Sequence, residues 1–218
     1  MDWNALIGRW PPEPDALRLL LVIDRLGHDA TDGRALVGES SLRHLDHLVD
    51  QPRTLAYVLL DRFASERALR DERGTWADAT RQLVADERTA PRRRGPDVAS
   101  AGGGFEPPRW RRLDGALVFL SSRGLIRVDL GPDDALRFTS IGDAASLLDR
   151  ANELPWLERR ARRCAAIAAH LPERTGDALL ERMRSAARRL QGFRRSADLP
   201  PERDPLPELF HATFRERL

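Results

Sequence analysis

The stretch from residue 120 to 148 constrains the fold of this chain more than any other part of the sequence. It reads LSSRGLIRVDLGPDDALRFTSIGDAASLL. LIRVDL and ALRFTS have the composition of β-strands, and the Gly-Pro-Asp-Asp between them suits a turn. Before them a helical stripe repeats at intervals of 3, 4 and 3 residues and ends at Gly124, and a new helix follows Thr139. The order of helix, hairpin and helix predicts a winged helix. The residues of the stripe are Trp110, Leu113, Leu117 and Leu120.

Leucine spacing predicts more helices before this stretch. A first helix begins at Pro14 and stops at Gly27. Thr31 or Asp32 can cap a short second helix that runs to Val37, and SSLRHLDHLVD predicts a third. After a Gln-Pro break, RTLAYVLLDRFASERAL continues the helical pattern.

The remaining pattern divides the chain into five regions and makes it mainly α-helical. From about Arg70 the apolar periodicity decays into a stretch rich in Arg, Gly, Pro and Ala, which predicts a flexible, exposed insertion with a short helix at ADATRQLVADER. The last third predicts two antiparallel helices that share one seam, then a Pro-rich spacer and a terminal helix. The predicted regions are 1–63 (N-terminal helical part of a winged helix-turn-helix domain), 64–108 (insertion), 109–150 (helix plus small β-hairpin wing), 151–191 (helical hairpin) and 192–218 (spacer and C-terminal docking tail).

Composition excludes several kinds of chemistry. All 36 basic residues are arginine, and 34 acidic residues leave a net charge of +2, which is no strong argument for a nucleic-acid partner. Without lysine the chain forms neither a Schiff base nor a P-loop, so AGGGF at 101–105 is not a phosphate cradle and any ATP would be bound by another subunit. One cysteine, and no apolar run that reads as a leader or membrane span, predict a cytoplasmic protein without a membrane partner.

No catalytic or metal-binding group stands out. His44 and His47 lie at i and i+3, but zinc needs further convergent ligands, so a solvated helix face is the better interpretation. Cys164 and His170 point to different helix faces, and Cys164 lies on an apolar seam where a buried small side chain is expected. We therefore expect a protein that is not an enzyme, with no cofactor and no metal.

Three arginine clusters are candidates for contact with double-stranded DNA. One lies in the first turn of the helix before the wing, one flanks the first wing strand, and one is the RRARR run. Acidic residues near the wing would repel phosphate, which favours non-specific contact over sequence reading. The candidates are Arg109, Arg111, Arg112, Arg123, Arg127, Arg159, Arg160 and Arg163.

The terminal ELFHATFRERL places large apolar side chains on one helical face. Behind a Pro-rich tether, such a face suits docking into a partner's groove, and it equally suits packing on the chain's own domain. The sequence leaves both open. The candidate docking residues are Leu209, Phe210, Phe214 and Leu218.

Four segments together resemble a known family. EPDALRLLLVIDRL, LDHLVD, GALVFLSSRGLIRVDLGPDDALRFTSIGDAASLLD and LERRARRCAAIAAHL follow the order found in the middle components of bacterial ABC-three-component systems, of which Lamassu defence systems are relatives. The resemblance implies a non-enzymatic winged-helix subunit that links an SMC/Rad50-like ATPase to an effector, often a nuclease, in defence against phage or plasmids. The chain departs from that family in its 64–108 insertion and in lacking a proline- and histidine-containing stretch before the wing.

A second family stays open. GLIRVD and LRFTSIGDAA also resemble the wing of MarR- or PadR-like transcriptional regulators, which dimerise through long terminal helices. Such regulators have a compact helix-turn-helix directly before the recognition helix. Here an irregular stretch intervenes, so the regulator is the alternative.

Overall fold

A computed structural model gives the architecture of most of the chain. It describes residues 14–88, 110–151, 153–200 and 203–218. The helices are α1 (Pro14–Leu26), α2 (Glu39–Asp50), α3 (Pro52–Ser65), α4 (Arg73–Arg88), α5 (Trp110–Ser122), α6 (Ala144–Ala151), α7 (Pro155–His170), α8 (Gly176–Ser196) and α9 (Leu206–Phe214). The strands are β1 (His28–Ala30), β2 (Gly33–Val37), β3 (Ile126–Leu130) and β4 (Leu136–Ser140), and short 3-10 turns span Arg67–Glu72 and Pro132–Asp134.

The described chain is therefore mainly helical with one small antiparallel sheet, and it divides into two compact units. The first unit draws on Met1–Val49 and Pro107–Gly176, and the second on Asp50–Glu106 and Asp177–Leu218. The units interleave along the sequence, because the chain leaves the first unit after α2 and returns to it at α5.

Helix α1 is the centre of the first unit. It contacts α5, α6, α7 and the strands β2 and β4. Apart from Pro14 and Arg25, its residues are buried, as expected for a helix that is apolar around most of its circumference. Its last residue is Leu26, and Gly27 follows as predicted. A Cβ at Gly27 would approach the Ile23 carbonyl oxygen to 2.5 Å and the Ala35 backbone to 3.0 Å, so the close approach of β2 requires glycine there.

The two strands that the sequence predicted after Gly124 are confirmed as β3 and β4, but the short helix predicted up to Val37 is wrong. The sheet has the order β1-β2-β4-β3 and is antiparallel throughout. Residues 33–37 form β2, which pairs with β4 so that Arg34 faces Ser140 and Val37 faces Arg137. This pairing joins residues 100 or more positions apart, so the hydrogen bonds that select a strand over a helix are not visible in the local sequence.

The second unit is built from helices, and one side chain of its aromatic core, Trp76, lies where the sequence predicted a flexible insertion. Trp76 of α4 is 1% exposed, and its ring centroid lies 5.9 Å from that of Phe63 in α3. The expectation of an exposed insertion from residue 64 is therefore corrected for Arg73–Arg88, a helix that includes the predicted short helix and supplies core side chains, whereas no residue of Arg67–Glu72 is buried. The rest of that predicted insertion, 89–108, lies outside the described residues.

The C-terminal helix α9 is part of the same core. Phe214 is fully buried, with its ring centroid 4.8 Å from Phe63 and 4.9 Å from Phe210. Arg81 of α4 lies over the Phe210 ring at 5.3 Å, and Leu209 is 3% exposed. Three of the four predicted docking residues, Leu209, Phe210 and Phe214, are thus covered by their own unit, and Leu218 is half-buried. Phe63 of α3 offers part of the apolar surface that a partner's groove would otherwise supply.

The predicted helical hairpin of residues 151–191 is also corrected. Both helices exist, at Pro155–His170 and Gly176–Ser196, but the first belongs to the first unit and the second to the other. The apolar stripe of α7 is used against α1. Equal spacing of two stripes shows that each helix buries one face, and it does not identify what each face packs on.

Candidate interaction surface

The strand β3 and the turn that follows it form one exposed edge of the sheet. β3 is an edge strand, since β4 is its only neighbour in the described sheet. Its side chains Val128 and Leu130 are 38% and 70% exposed, although Ile126 on the same face is 1% exposed. The buried end of the strand fixes it to the core, and its outer end presents apolar side chains to solvent.

The backbone of β3 has an ordered set of free donors and acceptors along this edge. The Ile141 N–H donates to the Leu125 carbonyl oxygen at 3.0 Å, and the Gly131 N–H donates to Ala135 at 2.8 Å. In an antiparallel ladder, bonded pairs alternate, so the odd-numbered residues between them bond to β4. The N–H and C=O groups of Ile126, Val128 and Leu130 therefore point away from β4, toward the open edge.

Arg127, a predicted DNA contact, is held by carboxylates. Its Nε donates to Asp129 at 2.7 Å and its Nη1 donates to Asp32 at 3.0 Å. The hydrogen bond to Asp129, followed by that to Asp32, raises the pKa of Arg127 above its usual value. Two carboxylates around one guanidinium leave a local charge that does not attract phosphate.

The turn between β3 and β4 is acidic and has an unusual backbone. Asp133 and Asp134 have φ values of 68° and 56°, in the left-handed region that Asp tolerates better than most residues. Both side chains are exposed. The acidic wing tip, defined as these two residues, would repel a nucleic-acid backbone.

Arg163 is a structural residue and is removed from the predicted DNA contacts. It is 4% exposed, and its Nη1 donates at 2.8 Å to the carbonyl oxygen of Val49 near the end of α2. An arginine supplies donors to the final carbonyls of a helix, which have no partner within the helix. The guanidinium thus joins α7 to α2 inside the first unit.

The other predicted arginines have mixed surroundings. Arg160 of α7 lies over the Trp156 ring at 5.2 Å and donates to the Trp156 carbonyl oxygen at 3.3 Å. Arg159 is half-buried, and Arg123 is exposed with its guanidinium 5.6 Å from the Phe119 ring. Arg109 lies outside the described residues, and the side chains of Arg111 and Arg112 are likewise not described.

A buried ion triad in the first unit was not predicted. Arg18, 2% exposed, donates to Asp15 at 2.7 Å within α1 and to both carboxylate oxygens of Asp46 in α2, at 2.5 and 3.0 Å. Bidentate pairing satisfies the desolvated carboxylate and fixes the contact between the two helices. The i, i+3 spacing of Asp15 and Arg18 was readable, but the partner 28 residues away was not.

The sequence also missed an open cleft beside the end of α1. It has a volume of about 340 Å³, and its lining includes His28, Ser41 and Arg174. Arg174 donates to the Leu26 carbonyl oxygen at 3.0 Å, and burial, followed by the charge of Arg34, lowers the pKa of Arg174. Its role is to cap the carbonyl end of α1, which the sequence could signal only as a helix end in need of donors.

The cysteine is in the surroundings that the sequence predicted. Cys164 is 1% exposed and free, and burial raises the pKa of its thiol to about 12. A thiol that keeps its proton is a poor nucleophile and a poor metal ligand. Among the described residues, no group of three His, Cys, Asp or Glu side chains is arranged to hold a metal ion.

Comparisons with known proteins and a search for membrane-spanning helices add no family to this picture. In the part of the chain that the structure describes, no helix combines the length and apolar character needed to cross a membrane. No family model, no curated protein and no solved structure matches the chain.

Proposed function

We propose that the first unit is a winged helix and that the chain is a non-enzymatic accessory subunit linking an SMC-like ATPase to an effector nuclease in an antiphage or antiplasmid complex. The element order α1, β2, α2, α5, β3, β4 supports the first part, since β2 pairs with the second strand of the wing hairpin. In this arrangement one part of the second unit, Asp50–Glu106, lies in the sequence between the second and third helices.

The observation that carries the proposal is the charge of the wing. Its strand arginine, Arg127, is held by Asp32 and Asp129, and its tip carries Asp133 and Asp134. A wing that lies along DNA gains affinity from cations that neutralise phosphates. This wing has instead an acidic tip beside exposed apolar side chains, which suits a protein surface with basic residues at its rim.

The alternative is a MarR- or PadR-like regulator, and Arg123 is the observation that favours it. This exposed arginine follows α5, the helix that would enter the major groove. The alternative also requires a compact helix-turn-helix directly before the recognition helix. The interleaved second unit separates α2 from α5, so the two helices are not joined by a short turn.

The wing tip distinguishes the two functions. In an Asp133→Asn, Asp134→Asn variant two negative charges are removed, while Asn keeps the left-handed backbone accessible. The variant should weaken binding to an SMC-like ATPase, measured by isothermal titration, because two rim charges are lost. A DNA-facing wing would instead bind duplex DNA more tightly after the same change.

The control variant is Asp71→Asn with Asp198→Asn. Both aspartates are exposed, and Asp198 also has a left-handed backbone with φ of 48°. This pair should leave ATPase binding unchanged. Separate elution of the unmodified chain and the ATPase would overturn the accessory-subunit proposal, and a footprint at one palindromic site would establish the regulator.

A further inference from the structure

The edge strand β3 has a sequence that complements itself. Ile126, Arg127, Val128, Asp129 and Leu130 follow the pattern apolar, positive, apolar, negative, apolar, with Val128 at the centre. Reversing the direction of the strand restores the apolar pattern and exchanges the two charges. A second copy laid antiparallel about Val128 therefore meets the opposite charge at each polar position.

The edge lacks some of the devices that usually prevent strand addition. Proteins protect edge strands with short length, charged side chains (especially lysine), proline, bulges or covering elements. β3 is five residues long and charged, but its two charges, on Arg127 and Asp129, have opposite signs and so need not repel a second copy. β3 has neither lysine nor proline, and its ladder with β4 is regular from Ile126 to Leu130. Its outermost apolar side chain, Leu130, is 70% exposed.

We propose that β3 is a homodimer interface, in which β3 of one copy pairs antiparallel with β3 of a second copy about a two-fold axis at Val128. The interface is isologous, so the same residues act on both sides. The proposal does not depend on the proposed ATPase partner. It uses the outer edge of the sheet, whereas the proposed function uses the wing tip.

Backbone geometry agrees with this register. The outward groups belong to Ile126, Val128 and Leu130, as the bonds at Leu125 and Gly131 require. With the two-fold axis at Val128, Val128 of one copy faces Val128 of the other, and Ile126 faces Leu130. The outward-pointing N–H and C=O groups of the two strands therefore meet, and each such pair exchanges two hydrogen bonds.

Charge then selects this register over its neighbours. Arg127 faces Asp129 of the second copy in a non-hydrogen-bonded pair, where side chains approach most closely. If one strand shifts by two residues, the outward-pointing groups still face each other, but Arg127 then lies opposite Arg127, or Asp129 opposite Asp129. Like charges directly opposite each other are destabilising. If one strand shifts by a single residue, the apolar side chains of the second copy lie on the opposite face of the sheet from those of the first.

The expected dimer is weak. A five-residue strand pair with its side chains buries less than the roughly 1,600 Å² of a standard interface. Arg127 also has local partners in Asp129 and Asp32, and a guanidinium with five donors can keep one of them while it binds the second copy. We therefore expect a dissociation constant in the micromolar range or weaker.

Sedimentation equilibrium of the full-length chain tests the interface by charge exchange. Arg127→Asp places two carboxylates opposite each other, and Asp129→Arg places two guanidiniums opposite each other, so each variant alone should dimerise at least about 10-fold more weakly. The combination Arg127→Asp with Asp129→Arg should restore dimerisation, because the exchanged charges are again complementary.

Mixing the two single variants sharpens the test. One then carries two negative charges on β3 and the other carries two positive charges, so the mixture should form a heterodimer although neither variant dimerises alone. Val118→Asp on α5, at a side chain that is 69% exposed, is the control and should dimerise like the unmodified chain. Circular dichroism of every variant verifies that it is folded.

The proposal is overturned if the unmodified chain stays monomeric at millimolar concentration. It is also overturned if the chain dimerises and folded Arg127→Asp dimerises equally well, since the interface would then lie elsewhere. Failure of the mixed variants to associate would refute the register.

Discussion

Phe214 decides whether the C-terminal helix is a docking tail or part of the core. Its side chain is fully buried, between Phe63 and Phe210 at centroid distances of 4.8 and 4.9 Å. Truncating a buried phenylalanine to alanine costs about 3–5 kcal/mol of stability. Each lost aromatic pair adds about 0.5–1.5 kcal/mol beyond burial alone, which places Phe214→Ala toward the upper end of that range.

Urea unfolding followed by circular dichroism measures this cost. With a denaturant slope of about 2 kcal/mol per molar urea, a loss of 3–5 kcal/mol lowers the transition midpoint by about 1.5–2.5 M. Phe214→Leu keeps most of the volume and should lose less, about 1–1.5 kcal/mol. Val118→Ala, at a side chain that is 69% exposed, should shift stability by less than about 0.5 kcal/mol.

An unchanged midpoint for Phe214→Ala would refute the reasoning. It would mean that the ring does not contribute to the folded chain, and loss of a partner in the same variant would then support docking in trans. A large loss of stability, together with normal binding of the partner by Phe214→Leu, establishes the helix as part of the second unit.

Two further changes test the first unit. Burial raises the pKa of Cys164 to about 12, whereas an exposed thiol titrates near 8.5, so the thiol's contribution to stability is fully present below about pH 8.5 and is lost as pH rises toward 12. Urea midpoints of the unmodified chain should therefore fall more steeply between pH 8 and 10 than those of Cys164→Ala. Parallel curves for the two proteins would contradict this. Thr139 is 1% exposed, and its Oγ1 has no hydrogen-bond partner in the described structure. Thr139→Val should therefore raise the free energy of unfolding, measured in urea, by up to about 1 kcal/mol. A decrease of that size would mean that the hydroxyl has a hydrogen-bond partner.

The elements that the sequence predicted correctly are those whose signal is local. α1 combines Pro14 at its start, a run of leucines and Gly27 at its end, and the wing hairpin combines two strand-like runs with a turn-forming sequence. All of these lie within one short window. β2 was missed because Arg34 and Val37 become strand residues by pairing with β4, which lies about a hundred residues away along the chain.

The core of the second unit was missed for a different reason. Trp76, Thr80 and Leu83 of α4 are buried and follow helical spacing, but the arginines and aspartates between them reduce the average hydropathy of the segment. Average composition therefore favoured an exposed insertion. The short helix predicted at ADATRQLVADER is confirmed within Arg73–Arg88, and the positions of its apolar residues together with Trp76 would have indicated that it buries one face.

The roles of the arginines could not be predicted from the sequence at all. Arg163 and Arg127 both belong to basic clusters, yet one donates to a main-chain carbonyl inside the first unit and the other lies between two carboxylates at the surface. An arginine in a basic cluster binds phosphate only if no nearer acceptor takes its donors. In a chain with 34 acidic residues such acceptors are common, and their positions depend on the fold.

The same charges on β3 connect the two proposals and make a DNA-binding wing their common rival. Pairing of two β3 strands places Arg127 against a carboxylate of the second copy, which removes the remaining donors that could bind phosphate. A wing on DNA would have only the Arg127 donors that Asp32 and Asp129 do not occupy, and it would bring Asp133 and Asp134 toward the phosphates. Dimerisation of the chain should therefore be unaffected by duplex DNA, whereas a wing that binds DNA through β3 would lose its dimer as DNA is added.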